Sequence, residues 1–571
     1  CFLRQHRVCK GRSLWLSCPS AAWSPEPAHQ DAVALSHSCL MHADHIAVWP
    51  GIRRSFPTGP NAYLTIRPQQ KLELWVELPD AGEQTQVRVL TDLPAALPVM
   101  LERETRNRFS TILANCEGRF TLRLALSRDG VSWGLDAAEA TRVLVRRPVP
   151  LTRCYSLLPT ASGTICAWRE RLDVIQQLGF DTVHVLPVTH MDASGSPYSA
   201  YDLFHVDPRY ARTPEAADAE FASFVDDLRR RGMRLCVDLV FNHIGINSKL
   251  AIEHPEWLET NPDEEDGIQR AGWSDGTTFH KWTDLAKLNY RNPVEAERDA
   301  LFETMAAYGL HWAAMAATTD GLVRLDNLHS SDSAFMTRFL DRLHCEYPQL
   351  LILAEMFAMP AQIREHCWSY GVDMLLATPW EHPFVPRLRH YIQHMHDVAP
   401  TVLHHIPLTS HDAGSPAEEF GSARASIPRY LVSALCGFGC TGITQGTEQG
   451  LAARPAFIGF TDPTEAEMDP AICSNIREMN LLLAEHVALR TPGNLRFVDN
   501  HHDAVIAAWR EGREGGASFL LIANFDTHHE QTIDLTDGSL PDMGVDIRSG
   551  ATYRLQGAIT LEPCGVRIFR V

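Results

Sequence analysis

The stretch 321-GLVRLDNLH-329 sets the problem. Small and apolar residues carry Arg324, then Asp326 two positions on, and the run breaks at once into polar residues. In a strand, residues two apart face the same side, so the guanidinium and the carboxylate would meet. The plain reading is an exposed ion pair at a strand end, which contributes little. The chemical reading is a carboxylate held ionised by a neighbouring guanidinium, as a nucleophile requires. The surrounding chain decides between them.

Comparable runs lie on both sides. TVHVLPV (182–188), RLCVDLV (234–240), LLILAE (350–355) and VDMLLA (372–377) read as short buried strands. Between them lie helical patterns such as EAADAEFASFVDDLRRRGM (215–233) and AFMTRFLDRLHCEY (334–347). Strand and helix in alternation mark βα units and a parallel sheet. About eight such units over residues 150–485 predict an α/β fold, a (β/α)8 TIM barrel. The polar stretch 241–295 predicts an irregular inserted subdomain after the third strand.

AYLTIRP, KLELWVELP, TQVRVLTDL and FTLRLALS, all within 46–149, predict an N-terminal β-sandwich, with RRPVP (146–150) as a linker. AVIAAWR, ASFLLIANFD and VRIFRV, within 486–571, predict a C-terminal β-domain. Residues 1–45 show no sustained periodicity and read as a poorly ordered extension without a signal peptide, Met41 being a candidate start.

The chain has 571 residues and a formal net charge of -19, which argues against a nucleic-acid partner. No window approaches the roughly 18 apolar residues of a membrane span. The fourteen cysteines are dispersed. Cys436 and Cys440 sit close but have no matching second pair, which argues against zinc. Several others, Cys236 among them, lie in apolar runs and read as small buried thiols in a reducing, cytoplasmic compartment.

Barrel enzymes do their chemistry where strands end. Four predicted strands end on ionisable residues: Asp238, Asn242 and His243; Arg324 and Asp326; Glu355; His411 and Asp412. Three carboxylates in one pocket suit retaining glycoside cleavage or transfer, with nucleophile and acid/base about 5–5.5 Å apart. Arg324 beside Asp326 predicts an ionised nucleophile, and the apolar run before Glu355 predicts a proton donor with a raised pKa. Asp412 is the third carboxylate. Asp238 reads as an anchor; His243 and His411 read as sugar-hydroxyl binders or as core histidines.

DLVFNH, GLVRLDN, ILAE and TSHD resemble the four short motifs of the α-amylase superfamily, glycoside hydrolase family 13. WTDLAKLNY (282–290) resembles its fifth motif, and SPYSAYDLFHVDPRY resembles the segment where the family places a sugar-stacking aromatic, here Tyr198. FNHIGINSKLAIEHPEW, VRLDNLHSS, HDAGSPAEEFGSARASIP and SALCGFGCTGITQGTEQG are similar to the 4-α-glucanotransferase half of glycogen debranching enzymes.

The resemblance implies Asp326 as nucleophile, Glu355 as acid/base and Asp412 as transition-state stabiliser. It implies Arg324, His243, His411, Tyr198, Asp238 and Asn242 as their support and as substrate contacts. It implies an α-glucan or malto-oligosaccharide substrate, and no organic cofactor. Asn242 matches a calcium-ligating position of many amylases, whereas the debranching-type relatives imply no metal. Ser410 departs from the family's usual Asn, and nothing resembles the α-helical glucosidase half, so α-1,6 cleavage is not expected. Transfer is the leading expectation. An α-amylase-type hydrolase, a maltosyltransferase with a phosphorylated donor and a catalytically inactive glucan-binding protein are the alternatives. Trp133, in DGVSWG, is a candidate stacking aromatic of the N-terminal domain.

Overall fold

The computed structural model describes residues 46–571 except 48, 59–61, 68, 93–97, 115, 117, 146, 275–276, 400, 501 and 514. The predicted extension 1–45 lies outside the described residues. The chain divides into two compact units at Pro148/Val149, the six residues 274–279 apart.

In the first unit two sheets face each other. The nine-residue strand Arg119–Ser127 pairs with Gln86–Thr91, Gly134–Asp136 and Thr141–Val145. In the second sheet Leu72–Glu77 pairs with Arg108–Leu113. Leu72–Glu77 alternates inward Leu72, Leu74 and Val76 with outward neighbours, and those side chains meet Val87, Val89, Phe109 and Leu122 in one core. Trp133 is half-buried, with the Arg88 guanidinium 4.1 Å from its ring centroid. Arg88 thus already covers a face of the ring that the sequence offered for stacking.

The second unit holds a closed parallel barrel. Its strands are β1 (Thr152–Leu157), β2 (Thr182–Val185), β3 (Arg234–Leu239), β4 (Leu322–Leu325), β5 (Leu351–Ala354), β6 (Met374–Leu376), β7 (Leu403–Pro407) and β8 (Cys440–Thr444). The helices that follow them are α1 (Ile165–Gln177), α2 (Ala217–Arg230), α3 (Glu295–Ala317), α4 (Ser333–Glu346), α5 (Pro360–Tyr370), α6 (Val385–Val398), α7 (Ser426–Leu435) and α8 (Pro470–Glu485). Pairing of Ser156 with Thr444 closes the ring from β1 to β8.

The period of two explains both the apolar strands and the site. Outward residues Val183, Leu235, Val237, Val323 and Ile352 join the main core, together with side chains of the surrounding helices. Cys236, Leu322, Leu351, Leu353, Met374 and Cys440 gather in a second, smaller cluster. Two residues further along the same strand faces stand Asp238 after Cys236, Arg324 after Leu322 and Glu355 after Leu353. The same alternation that packs the barrel therefore delivers charge to the C-terminal ends of its strands.

The segment after β3 is more regular than its composition predicts. His243–Gly245, Phe279–Lys287 and Arg270–Ser274 form a three-stranded sheet in that order. Its long strand is partly exposed over most of its length, so little hydrophobic alternation marks it. At the C-terminal end six strands form an antiparallel sheet, and a two-stranded ribbon joins Gln531–Leu535 to Gly557–Leu561. Phe519–Asn524 is buried on both faces: Phe519, Leu521 and Ala523 join the main core, Leu520 and Ile522 a separate one. Among the described residues no helix is long and apolar enough to cross a membrane. Ten described cysteines are free thiols; eight, Cys236 among them, are buried, Cys166 is half-buried and Cys345 is exposed.

Candidate active site

Arg324 is the hub. It is 2% exposed, and its guanidinium reaches three carboxylates. Nη1 donates to Asp238 Oδ1 and Oδ2 at 2.8 and 2.7 Å and to Asp326 Oδ1 at 3.0 Å. Nη2 donates to Glu355 Oε2 at 2.9 Å. The register of β3, β4 and β5 makes this reach short, because Asp238 lies opposite Arg324 and Arg324 opposite Leu353. The same-face expectation for Arg324 and Asp326 holds, with Asp326 one residue past the strand.

The chain then turns sharply. Asn327 takes a left-handed conformation (φ 46°, ψ 45°), which asparagine tolerates better than most residues. That turn aims its backbone N–H at Glu355 Oε2, 3.1 Å away. Glu355 is therefore gripped by a guanidinium and an amide on the same oxygen. The Asp332 side chain accepts from Ala334 and Phe335 N–H, capping α4 behind the turn.

Asp238 has a fully buried side chain and both oxygens engaged. Tyr198 Oη donates to Oδ2 at 3.0 Å, and His184 Nε2 lies 3.2 Å from the same atom. Burial alone would raise this carboxyl, but Arg324 and His184 pull it down to about 2. Asp238 thus anchors Arg324.

Asp326 behaves differently. Burial pushes its carboxyl well above the ordinary range, and Glu355, Asp238 and Asp412 add to the rise against the pull of Arg324. The sequence reading weighed Arg324 alone. The structure shows one guanidinium shared among three carboxylates, so in the substrate-free protein its pull on Asp326 is outweighed.

His411 ends β7's loop, 3% exposed, its ring stacked 5.5 Å from that of Tyr198 at an interplanar angle of 10°. Its Nε2 lies 2.6 Å from Tyr198 Oη and 3.3 Å from Asp412 Oδ2. With Tyr198 donating to Asp238, His411 Nε2–H donates to Tyr198. Asp412 keeps about half its side-chain surface exposed (53%) at the mouth, where the enclosing walls push its carboxyl up. His243 is 3% exposed, and neither ring nitrogen has a hydrogen-bond partner among the described residues. Burial lowers it to about 4, against the charge of Asp284 and the Tyr198 backbone. Asn242 is buried, and its backbone carbonyl accepts from Leu288 N–H at 3.2 Å. Among the described residues no group of three or more His, Cys, Asp or Glu gathers where a metal would sit.

Four side chains escaped sequence reasoning. His184 and Ser156 stand behind Asp238, the Ser156 hydroxyl 3.1 Å from His184 Nδ1. Phe457 lies edge-on to Tyr198 and His411, at 6.2 and 5.4 Å. Arg454 acts electrostatically on Asp412, and its buried Nε and Nη1 have no hydrogen-bond partner among the described residues. Only His184 carried a signal, the one ionisable residue in the strand TVHV.

Residues 148–261 match the family model described as glycogen debranching enzyme, glucanotransferase domain. An α-1,4-glucan:maltose-1-phosphate maltosyltransferase of Streptomyces coelicolor is 24% identical over 68% of this chain and 59% of its own length. One from Myxococcus xanthus is 23% identical over 63% of this chain and 56% of its own. The chain thus spans less than two thirds of these relatives. Among solved structures, the α-amylase of Geobacillus thermoleovorans superposes with a TM-score of 0.59 at 16% identity, covering 73% of this chain and 98% of that one. The type III pullulan hydrolase of Thermococcus kodakarensis covers 91% of this chain and 100% of its own, with a TM-score of 0.57 at 16% identity. These likenesses reproduce the barrel fold.

Proposed function

We propose, on the premise that this chain belongs to the α-amylase superfamily (glycoside hydrolase family 13), that it is a retaining 4-α-glucanotransferase acting on α-1,4-glucosidic bonds. The observation that carries this reading is the bridge from Arg324 to Asp326 and Glu355 at adjacent strand ends, with Asp412 at the mouth.

Glu355 protonates the departing glycosidic oxygen while Asp326, as carboxylate, attacks the anomeric carbon and forms a glycosyl ester. Glu355 then takes the proton from the acceptor hydroxyl as that oxygen displaces Asp326. Two inversions retain the α configuration. Asp412 holds its negative charge where the oxocarbenium-like state develops, and Arg324 holds Asp326 and Glu355 in place. Tyr198 and Phe457 offer rings to the sugar, and His243 offers nitrogens to its hydroxyls. The mechanism uses no cofactor. The free thiols suit a reducing compartment.

The test uses purified protein and maltopentaose. Longer and shorter oligosaccharides without new reducing ends support transfer. Shorter products with reducing ends rising in step would make it a hydrolase. The names of the two maltosyltransferase relatives favour a second reading, transfer of maltosyl from maltose 1-phosphate to a glucan. Phosphate release on adding that donor would establish it.

A further inference from the structure

Around Arg324 acceptors outnumber hydrogens. Nη1 carries two N–H groups, yet Asp238 Oδ1 and Oδ2, Asp326 Oδ1 and Tyr198 Oη lie at 2.8, 2.7, 3.0 and 3.3 Å. A donor that reaches Asp238 from elsewhere therefore changes what Nη1 has left for Asp326. Tyr198 is one such donor and belongs to the cleft. His184 is the other, and it lies beneath the cleft, 5% exposed on β2.

We propose that His184 is a positioning residue that releases an Arg324 hydrogen to Asp326 by donating its own Nε2–H to Asp238, with Ser156 holding the ring. The relay crosses β1, β2, β3 and β4 in order, because Ser156 pairs with His184 and Asp238 with Arg324 in the register. Its direction follows from the acceptors. Facing a carboxylate held ionised, Nε2 carries the hydrogen, and the Nδ1 lone pair accepts from the Ser156 hydroxyl 3.1 Å away. The other groups facing His184 are His411, at 6.2 Å between ring centroids, and His405 of β7. Burial lowers His405 to about 3, and burial with the Arg324 charge pushes His411 well below its usual value, so neither brings a competing positive charge to Asp238 near neutral pH. A histidine that merely filled the barrel would need no donor aimed at Asp238. The consequence for catalysis rests on the proposed function; the hydrogen-bond competition does not.

His184→Gln keeps an N–H donor, His184→Leu removes it, and Ser156→Ala loosens the ring. Thermal melts establish folding. Carboxyl ¹³C titration, with Asp326→Asn and Asp238→Asn for assignment, reads the competition without any glucan. In His184→Leu both carboxyls should titrate about one pH unit higher. The acid limb of kcat/KM on maltopentaose should follow, with kcat about tenfold lower and KM nearly unchanged. His184→Gln should stay near the parent, and Ser156→Ala should show a smaller upward shift. Unmoved carboxyls in His184→Leu, or His184→Gln impaired as badly as His184→Leu, would overturn the proposal. If His184→Leu does not fold, an unmoved titration in Ser156→Ala overturns it. A parent inert towards every glucan would sink the functional reading, while the titration would still decide the role of His184.

Discussion

Arg324 on β4 and Arg510 in the C-terminal sheet are both buried, 2% and 0% exposed, and their surroundings differ in kind. Arg324 meets three carboxylates, and the charge of Asp238 leads the attractions that raise its pKa far above normal against the cost of burial. Arg510 meets the carbonyls of Ala488 and Thr491 at 3.1 and 3.0 Å, and burial lowers it to about 10. His396 lies against it, but its Nδ1 accepts from Gly493 and its Nε2 faces the Cys436 carbonyl. One guanidinium organises charge; the other satisfies backbone at the join between α6 and the C-terminal sheet. Burial of an arginine is therefore no guide to chemistry until its partners are counted by type.

The sharpest way to break this contrast is at the group Arg324 serves. Asp326→Asn should lower kcat on maltopentaose by about 10⁴-fold or more while binding persists. Equal turnover in parent and variant would leave a glucan-binding protein in place of an enzyme. Next, Arg324→Met should cost about 10²–10³-fold in kcat/KM, whereas Arg510→Met should stay within about twofold. Similar losses at both positions would erase the distinction.

The pH dependence follows from the partners too. The Asp326 carboxyl is raised, so kcat/KM should fall as pH drops through a limb above the ordinary carboxylate range, read from a pH–rate profile. Stability has its own window. His396 and His405 are lowered to about 4 and 3 in the folded protein, so below the ordinary histidine value the unfolded chain binds more protons. Their contribution is complete above about pH 6.5 and is lost as pH falls towards 4 for His396 and towards 3 for His405. The melting temperature should decline over that window, less steeply in His396→Asn. The smallest expected effect is that of a chelator: activity should change by less than about twofold, since no step of the proposed mechanism uses a metal.

Much of the fold was legible because parallel barrel strands are apolar on both faces and stop abruptly at charge. GLVRLD and LLILAE show that pattern without help from the rest of the chain. The sheet after β3 was not legible, because its strand Phe279–Lys287 stays partly exposed and lacks a hydrophobic stripe. At the site, the gathering of Asp326, Glu355 and Asp412 could be read from strand ends and spacing. The sign of Asp326's shift could not, since it depends on how many carboxylates divide one guanidinium. Asp238 could be read as an anchor, but not its partners His184 and Tyr198, whose contacts arise only when β2 and the following loop fold over β3.

The closure of the barrel also governs how the protein is made. β1 finds its second neighbour only in β8, where Ser156 meets Thr444. At ribosomal rates of about 5–20 residues per second, that edge of the sheet waits on the order of 15–60 seconds for its partner. Through that interval a growing parallel sheet presents open backbone to other nascent chains, a template for aggregation. Slow synthesis, or shortage of chaperones that shield such edges, should therefore lower the yield of this protein before it affects any property of the finished molecule.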